Sequence, residues 1–270
     1  MTQAIKLHYF KSSSGIKNFG DELSPILVEF VSKRKVQYAS VSECELIGLG
    51  SIFDGVIKKI WKRKLTLNFQ PIHVWGTGFI LNRSVDEAFI RKNFIVHSVR
   101  GEVTHQIINN VDGVSYGDPG LLSKFLISPQ EKRIKILIMP HIEHKNLPEM
   151  KQFINSFSQC RVADLTGDPI EVLKQIASAD IVISSSLHGL VCADSFGIPN
   201  IRLKLSQELK GGDFKFNDYD SSLKRNIGEV TLQHQPSDIL KIISNSDYSY
   251  QKRVDMLCEG LYRSFPSDLK

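Results

Sequence analysis

Short continuous apolar runs, each followed by small turn residues and then a helical stretch, recur along this 270-residue chain and leave few folds open to it. They occupy residues 5–10, 46–49, 72–75, 95–99, 134–139, 181–184 and 201–203. Ile136-Leu137-Ile138-Met139 and Ile181-Val182-Ile183 lack the alternation of a half-exposed strand, so both of their faces are expected to be buried. Strands of that kind belong to parallel sheets covered by crossover helices, and the expected class is α/β. A polar, proline-containing stretch at residues 128–133 separates two such series and marks an expected boundary between two similar halves. Open parallel sheets bind ligands outside the carboxyl ends of their strands, so two facing sheets would place a site in the cleft between them.

Composition narrows the function classes. With 41% hydrophobic and 23% charged residues, the chain is neither disordered nor fibrous. Its 34 Lys and Arg against 29 Asp and Glu give a formal charge of +5, which suits an anionic small substrate, an anionic membrane surface or nucleic acid. Cys44, Cys160, Cys192 and Cys258 are far apart and form no Cys-x-x-Cys pair, so reduced thiols are expected rather than a zinc site or a disulfide framework. No window of about 20 apolar residues and no signal-like amino terminus occurs, and a cytoplasmic location is expected.

Candidate chemistry sits at the strand ends. Ser12-Ser13-Ser14-Gly15-Ile16-Lys17-Asn18-Phe19-Gly20-Asp21-Glu22 leads into a helix whose first amides suit an anion; equally, Asn18 and Asp21 cap that helix and Gly20 turns the chain. Gly48-Leu49-Gly50-Ser51 and Trp75-Gly76-Thr77-Gly78 permit close backbone approach to a ligand or a packed helix. Neither matches Gly-x-Gly-x-x-Gly or the phosphate loop ending in Gly-Lys-Ser/Thr, so a nucleotide cofactor is not indicated. Arg100 offers a planar fork for a carboxylate or phosphate, or pairs at the surface with an acid such as Glu102. Asp118 reads as a general acid or a helix cap. His141 follows one strand of the second half, and Ser184-Ser185-Ser186-Leu187-His188-Gly189 is the densest polar cluster there. His188 would start a helix, where an imidazole can hydrogen-bond an anion or move a proton. Ser186 lies outside a Gly-x-Ser-x-Gly elbow, which argues against an acyl-enzyme hydrolase. Residues 210–219 mix charge, glycine and aromatics without a period and read as a binding loop or a solvated linker. Lys58, Lys59, Lys62, Arg63 and Lys64 surround Trp61 on a stretch whose apolar side packs on the protein or lies on anionic lipid.

Taken in order, Asn18-Phe19-Gly20-Asp21-Glu22-Leu23, Gly48-Leu49-Gly50-Ser51, Trp75-Gly76-Thr77-Gly78, Ser98-Val99-Arg100-Gly101, Gly117-Asp118-Pro119, Met139-Pro140-His141, Ser186-Leu187-His188-Gly189 and Phe216-Asn217-Asp218-Tyr219 resemble the polysaccharide pyruvyl transferase family. Among its members the series is most like the ketal-pyruvate transferases of exopolysaccharides such as succinoglycan and xanthan. The resemblance implies a GT-B-like pair of facing Rossmann-like domains. Residues 1–128 would form the acceptor side with part of the donor site, and residues 129–270 the donor side with a carboxyl-terminal helix. It implies phosphoenolpyruvate as donor, no cofactor or metal, and a glycan acceptor that is lipid-linked. A peripheral contact with the inner face of a membrane would follow, and no nucleic acid partner.

In that family an Arg matching Arg100 and an Arg-Leu-His triplet matching Ser186, Leu187 and His188 hold the donor. Here Ser186 replaces the triplet's Arg, and Arg202, Lys204 and Lys210 are the candidate substitutes on charge and placement. His188, Asp21 and Glu22 are the expected catalytic residues. Asn18, Gly20, Gly50, Ser51, Gly76, Gly78, Asp118 and His141 are expected in the cleft loops. Two other readings fit the same pattern: a GT-B glycosyltransferase using a nucleotide sugar, and a carbohydrate-binding protein without activity.

Overall fold

Each apolar run forms a strand in the computed structural model, which describes residues 3–12, 14–205, 211–225 and 228–270. One sheet comprises β1 (Ile5–His8), β2 (Val36–Tyr38), β3 (Leu46–Ile47), β4 (Ile72–Trp75), β5 (Phe94–Val99) and β6 (Ser115–Tyr116). The other comprises β7 (Ile134–Met139), β8 (Arg161–Val162), β9 (Ala179–Ser184), β10 (Asn200–Lys204) and β11 (Glu229–Thr231). Every ladder between them is parallel. Their spatial orders are β2-β1-β3-β4-β5-β6 and β11-β10-β9-β7-β8. The strands that carry no apolar run, β2, β6, β8 and β11, are the sheet edges. An edge strand has a neighbour on one side only and is less covered, so its sequence carries a weaker signal. This is an α/β, GT-B-like arrangement of two parallel sheets.

The connecting helices are α1 (Phe19–Ser32), α2 (Phe53–Lys59), α3 (Glu87–Asn93), α4 (Glu102–Ile107), α5 (Pro148–Asn155), α6 (Pro169–Ala177) and α7 (Leu187–Ser195). After β10 come α8 (Phe214–Leu223), α9 (Pro236–Ser244) and α10 (Gln251–Arg263). In α1, Phe19, Leu23, Leu27 and Val31 recur every four residues and are buried, which supplies the apolar stripe a crossover helix needs. Its end is closed by Lys33 in the left-handed region (φ 59°), whose N–H reaches the Glu29 carbonyl. Asp168 caps α6 by accepting from the Ile170 and Glu171 amides.

Residues 214–223 are helical, contrary to the expected binding loop or linker. Phe216, Tyr219 and Leu223 do follow helical spacing, but Asp218 and Ser222 are buried beside them and erase the apolar period. The carboxyl-terminal helix packs on α7 and α8 of the second half and reaches the first sheet as well. Trp75 Nε1 donates to the Leu261 carbonyl at 2.9 Å, and Trp75 packs edge-on against Phe265. A continuous apolar core runs from Ile5, Leu7 and Leu27 through Leu121, Leu190 and Val191 to Leu137 and Val182, so it joins the two sheets.

Strand order locates the site. The first sheet reverses its direction of growth between β1 and β3, and the second between β7 and β9. At such a switch point the loops leave in opposite directions and open a crevice beyond the strand ends. The loops after β1, β3, β7 and β9 therefore converge, and they carry the motifs containing Asn18, Ser51, His141 and Ser186.

Candidate functional site

A cavity of about 490 Å³ lies where these loops meet. Asn18, Asp21, Gly50 and Ser51 line it from the first half; His141, Ser186, Leu187, His188 and Lys215 line it from the second. A larger hollow of about 720 Å³ runs along the second half past Gln152 and His234. Of the site residues expected from sequence it holds Lys204 alone, so the smaller cavity is the candidate site.

The polar cluster after β9 divides its labour. Ser184 Oγ accepts from the Ser186 amide at 3.0 Å and lies 3.0 Å from the Met139 carbonyl, and Ser185 Oγ accepts from the His141 amide at 2.9 Å. These two serines tie the ends of β7 and β9 together. Ser186 is left free to open α7: it occupies the N-cap position with no side-chain capping bond, so the first amides of the helix keep their donor capacity.

His188 follows in the first turn of α7, and its imidazole lies against the backbone of α1. A Cβ added to Gly20 would fall 1.8 Å from His188 Nδ1, which is why this position has no side chain. His188 Nε2 is buried without a hydrogen-bond partner, 3.8 Å from Asp118 Oδ2, which is also buried and unpartnered. The other Asp118 oxygen accepts from the Gly120 amide at 2.9 Å. Burial, with Lys215 and Arg100 nearby, lowers the His188 pKa to about 3 and keeps the ring neutral. Burial raises Asp118 to about 6. Asp118 thus lies behind His188 and does not line the cavity itself.

Asp21 does line it, and accepts from Asn18 Nδ2 at 2.8 Å. Burial outweighs that hydrogen bond and raises the Asp21 pKa to about 6, close to where a carboxyl can both give and take a proton at neutral pH. Glu22, expected beside it, does not line the cavity. His141 is lowered to about 3 by burial and then by Lys215, so it also stands neutral.

Arg100 departs from the expected open clamp. Its side chain is 0% exposed, and all three guanidinium nitrogens are spent on the protein. Nε donates to Asp218 Oδ2 at 2.8 Å, one terminal nitrogen to Ser51 Oγ and the other to the Phe79 carbonyl at 2.6 Å. Arg100 thus meets the cavity only through Ser51. Asp218 is satisfied in turn by the Thr104 amide and hydroxyl at 2.8 and 2.7 Å. A Cβ on Gly78 would collide with both Arg100 and Asp218, so that glycine makes room for the ion pair rather than for a ligand. Gly76 packs on Pro119 in the same structural sense.

The expected substitutes for the family's arginine lie elsewhere. Arg202 and Lys204 are both paired with Asp213 and Glu229, and neither lines the cavity. Asp213, at the N-cap of α8, and Glu229 of β11 hold them in place. Lys210 lies outside the described residues. The cation that does reach the cavity is Lys215, on α8. Among the described residues no carboxylate lies within ion-pair distance of it, and burial, followed by Arg100 and Arg202, lowers its pKa to about 8. Sequence reading missed Lys215 because residues 210–219 showed no helical period. Recognising Phe216, Tyr219 and Leu223 as one buried stripe would have turned Lys215 to a side bordering the core.

Comparison with known proteins agrees with this geometry. The sequence model of the polysaccharide pyruvyl transferase family matches residues 18–207. An uncharacterised protein of Acanthamoeba polyphaga mimivirus is 28% identical over 226 residues, covering 80% of this chain and 73% of that protein. The succinoglycan biosynthesis protein ExoV of Rhizobium meliloti is 25% identical over 223 residues, covering 81% of this chain and 65% of its own length. A crystal structure of a functionally uncharacterised Klebsiella pneumoniae protein shares the fold, with a TM-score of 0.50 and 13% identity over 86% of this chain and 94% of that one. The family match begins at Asn18, takes in every strand from β2 to β10 and includes the loops after β3, β7 and β9, so the chain belongs to the polysaccharide pyruvyl transferase family and is a pyruvyltransferase.

Proposed function

We propose that this enzyme transfers pyruvate from phosphoenolpyruvate to two neighbouring hydroxyls of one sugar in a polysaccharide or lipid-linked oligosaccharide, giving a cyclic pyruvate ketal and phosphate. The observation that carries the donor assignment is Lys215, a cavity cation with no carboxylate at ion-pair distance among the described residues, which lines the same cavity as the uncapped first turn of α7. A donor bearing both a carboxylate and a phosphate needs such anchors, and Lys215 takes the part that the family's arginine would play at Ser186. The donor carries its own activated group, so the reaction calls for no cofactor.

In this reading the α7 amides and Lys215 hold the phosphate, and neutral His188 hydrogen-bonds it as charge builds on the leaving group. Asp21 in its acid form protonates the donor methylene carbon, leaving an oxocarbenium-like centre at the neighbouring carbon. The first sugar hydroxyl adds there and returns its proton to Asp21. The carbon–oxygen bond to phosphate then breaks, the second hydroxyl closes the ketal, and its proton leaves with phosphate. One carboxyl poised near pH 6 thus serves as acid and then as base.

Calorimetric titration tests the donor. Phosphoenolpyruvate should bind, and Lys215→Ala should weaken it by about 10–100-fold, the worth of a charged hydrogen bond. Affinity should fall above pH 8 as Lys215 loses its proton, whereas Lys215→Arg should hold it to higher pH. Selective binding of a nucleotide sugar in place of phosphoenolpyruvate would replace this reading with a glycosyltransferase.

A further inference from the structure

Beside the cavity mouth, α2 runs directly into a 3-10 helix (Ile60–Thr66) and a short loop. The inner side of this segment is packed: Phe53 and Val56 are in the core of the first sheet, with Ile57 and Ile60 against it. Its outer side is apolar as well. Trp61 is 55% exposed, Leu65 73%, Leu67 77% and Phe69 72%, four large side chains within nine residues. Exposed apolar clusters of this size mark a contact surface rather than a solvated face.

The exposure is built into the fold. Arg63, in the same segment, is buried and donates to the carbonyls of Val41, Cys44 and Gln70 and to Asn68 Oδ1. Thr66 Oγ1 and Asn68 Nδ2 both donate to the Ser42 carbonyl. Leu67 is held in the left-handed region at φ 53°, an uncommon state for a leucine. A buried arginine and a strained leucine thus hold the loop in a shape that pushes Leu65, Leu67 and Phe69 outward.

Charge selects the occupant. Lys58, Lys59, Lys62 and Lys64 are exposed around these apolar side chains, and residues 55–85 contain no Asp or Glu. Glu43, in the turn beneath, is the acid nearest in the chain to the Ser42 anchor. A symmetric dimer through this face would set lysine against lysine, because a twofold interface presents the same patch from both copies. An anionic bilayer satisfies both features: its headgroups neutralise the lysines while Trp61, Leu65, Leu67 and Phe69 enter the headgroup–acyl boundary. Lys58 and Lys59 also line the cavity, together with Phe10 and Leu81, which are 55% and 47% exposed. The mouth of the site therefore opens on the same face.

We propose that residues 58–69 form a docking surface for an anionic lipid bilayer that sets the mouth of the catalytic cavity against the headgroup layer. The surface stands on its own observations; only its benefit, delivery of a lipid-linked glycan to the cavity, rests on the function proposed above.

Vesicle flotation tests it without substrate. The full-length protein should float with phosphatidylcholine vesicles containing phosphatidylglycerol at low salt, should leave them at high salt, and should ignore pure phosphatidylcholine. Combined Leu65→Ser, Leu67→Ser and Phe69→Ser should lower binding by at least about 100-fold. Combined Lys62→Ala and Lys64→Ala should lower it by roughly 20–30-fold. None of these residues lines the cavity, so both variants should keep the wild-type melting temperature and phosphoenolpyruvate affinity, which shows that they are folded. Wild-type protein that stays in the soluble fraction at low salt, or a triple serine variant that floats as well as wild type, overturns the proposal. A concentration-dependent dimer that the triple variant abolishes would overturn it in favour of self-association. Loss of phosphoenolpyruvate binding in every form, with flotation intact, would count against the proposed reaction and leave the membrane surface standing.

Discussion

Gly20 sits in the first turn of α1, where alanine would normally favour the helix by about 1 kcal/mol. Its reason for being glycine lies in the other half of the fold, where the His188 ring occupies the space a Cβ would take. Gly20→Ala should therefore leave a folded protein whose imidazole is displaced from Asp118. If His188 acts as proposed, the expected result is a loss of turnover of about 100-fold or more, since a misplacement of about 1 Å costs that much, with the thermal midpoint lowered by the roughly 1–3 kcal/mol of overpacking a buried ring. Turnover within a few-fold of wild type would remove His188 from the mechanism. The motif around Gly20 was legible in the sequence, and so was His188. That they touch was not, because their contact joins loops following strands in different sheets.

At the level of elements, α8 carries more of the site than its sequence announces. Asp218 reaches from α8 to Arg100 at the end of β5 and to the start of α4, and Lys215, one turn earlier, enters the cavity. The ion pair fixes the orientation of the helix, and with it the position of the lysine. Asp218→Asn leaves the Arg100 charge buried without its counter-charge, which should cost about 3–5 kcal/mol of stability. Urea unfolding should show this as a lower midpoint at unchanged slope. An unaltered midpoint would mean that the pair contributes nothing net. Arg100 was legible as a charged residue at a strand end, but its place as a buried anchor for Asp218 was not. An arginine at a strand end reads alike whether a ligand or a distant aspartate fills its fork.

For the whole molecule, the shared core and the returning helix make one unit of two sheets. Leu261 is fully buried in that core, and its backbone carbonyl holds Trp75 of the first sheet. Calorimetry should accordingly show a single unfolding transition, not one per half. Leu261→Ala should destabilise that transition as a whole by about 2–5 kcal/mol, the usual cost of a core leucine. Two separable transitions would show that the halves fold independently and that α10 joins them only loosely. By itself the sequence determined the local content of this enzyme. Continuous apolar runs specify central parallel strands because burial on both faces allows no polar alternation, and small polar motifs at their ends specify loops. Tertiary structure alone decided which loops meet. It also decided which cation faces the cavity, since Lys215 outranks Arg202 only once α8 is packed, and where the last helix lies. Those outcomes depend on contacts between residues far apart in the chain, and the free energy of such contacts is written in no single segment.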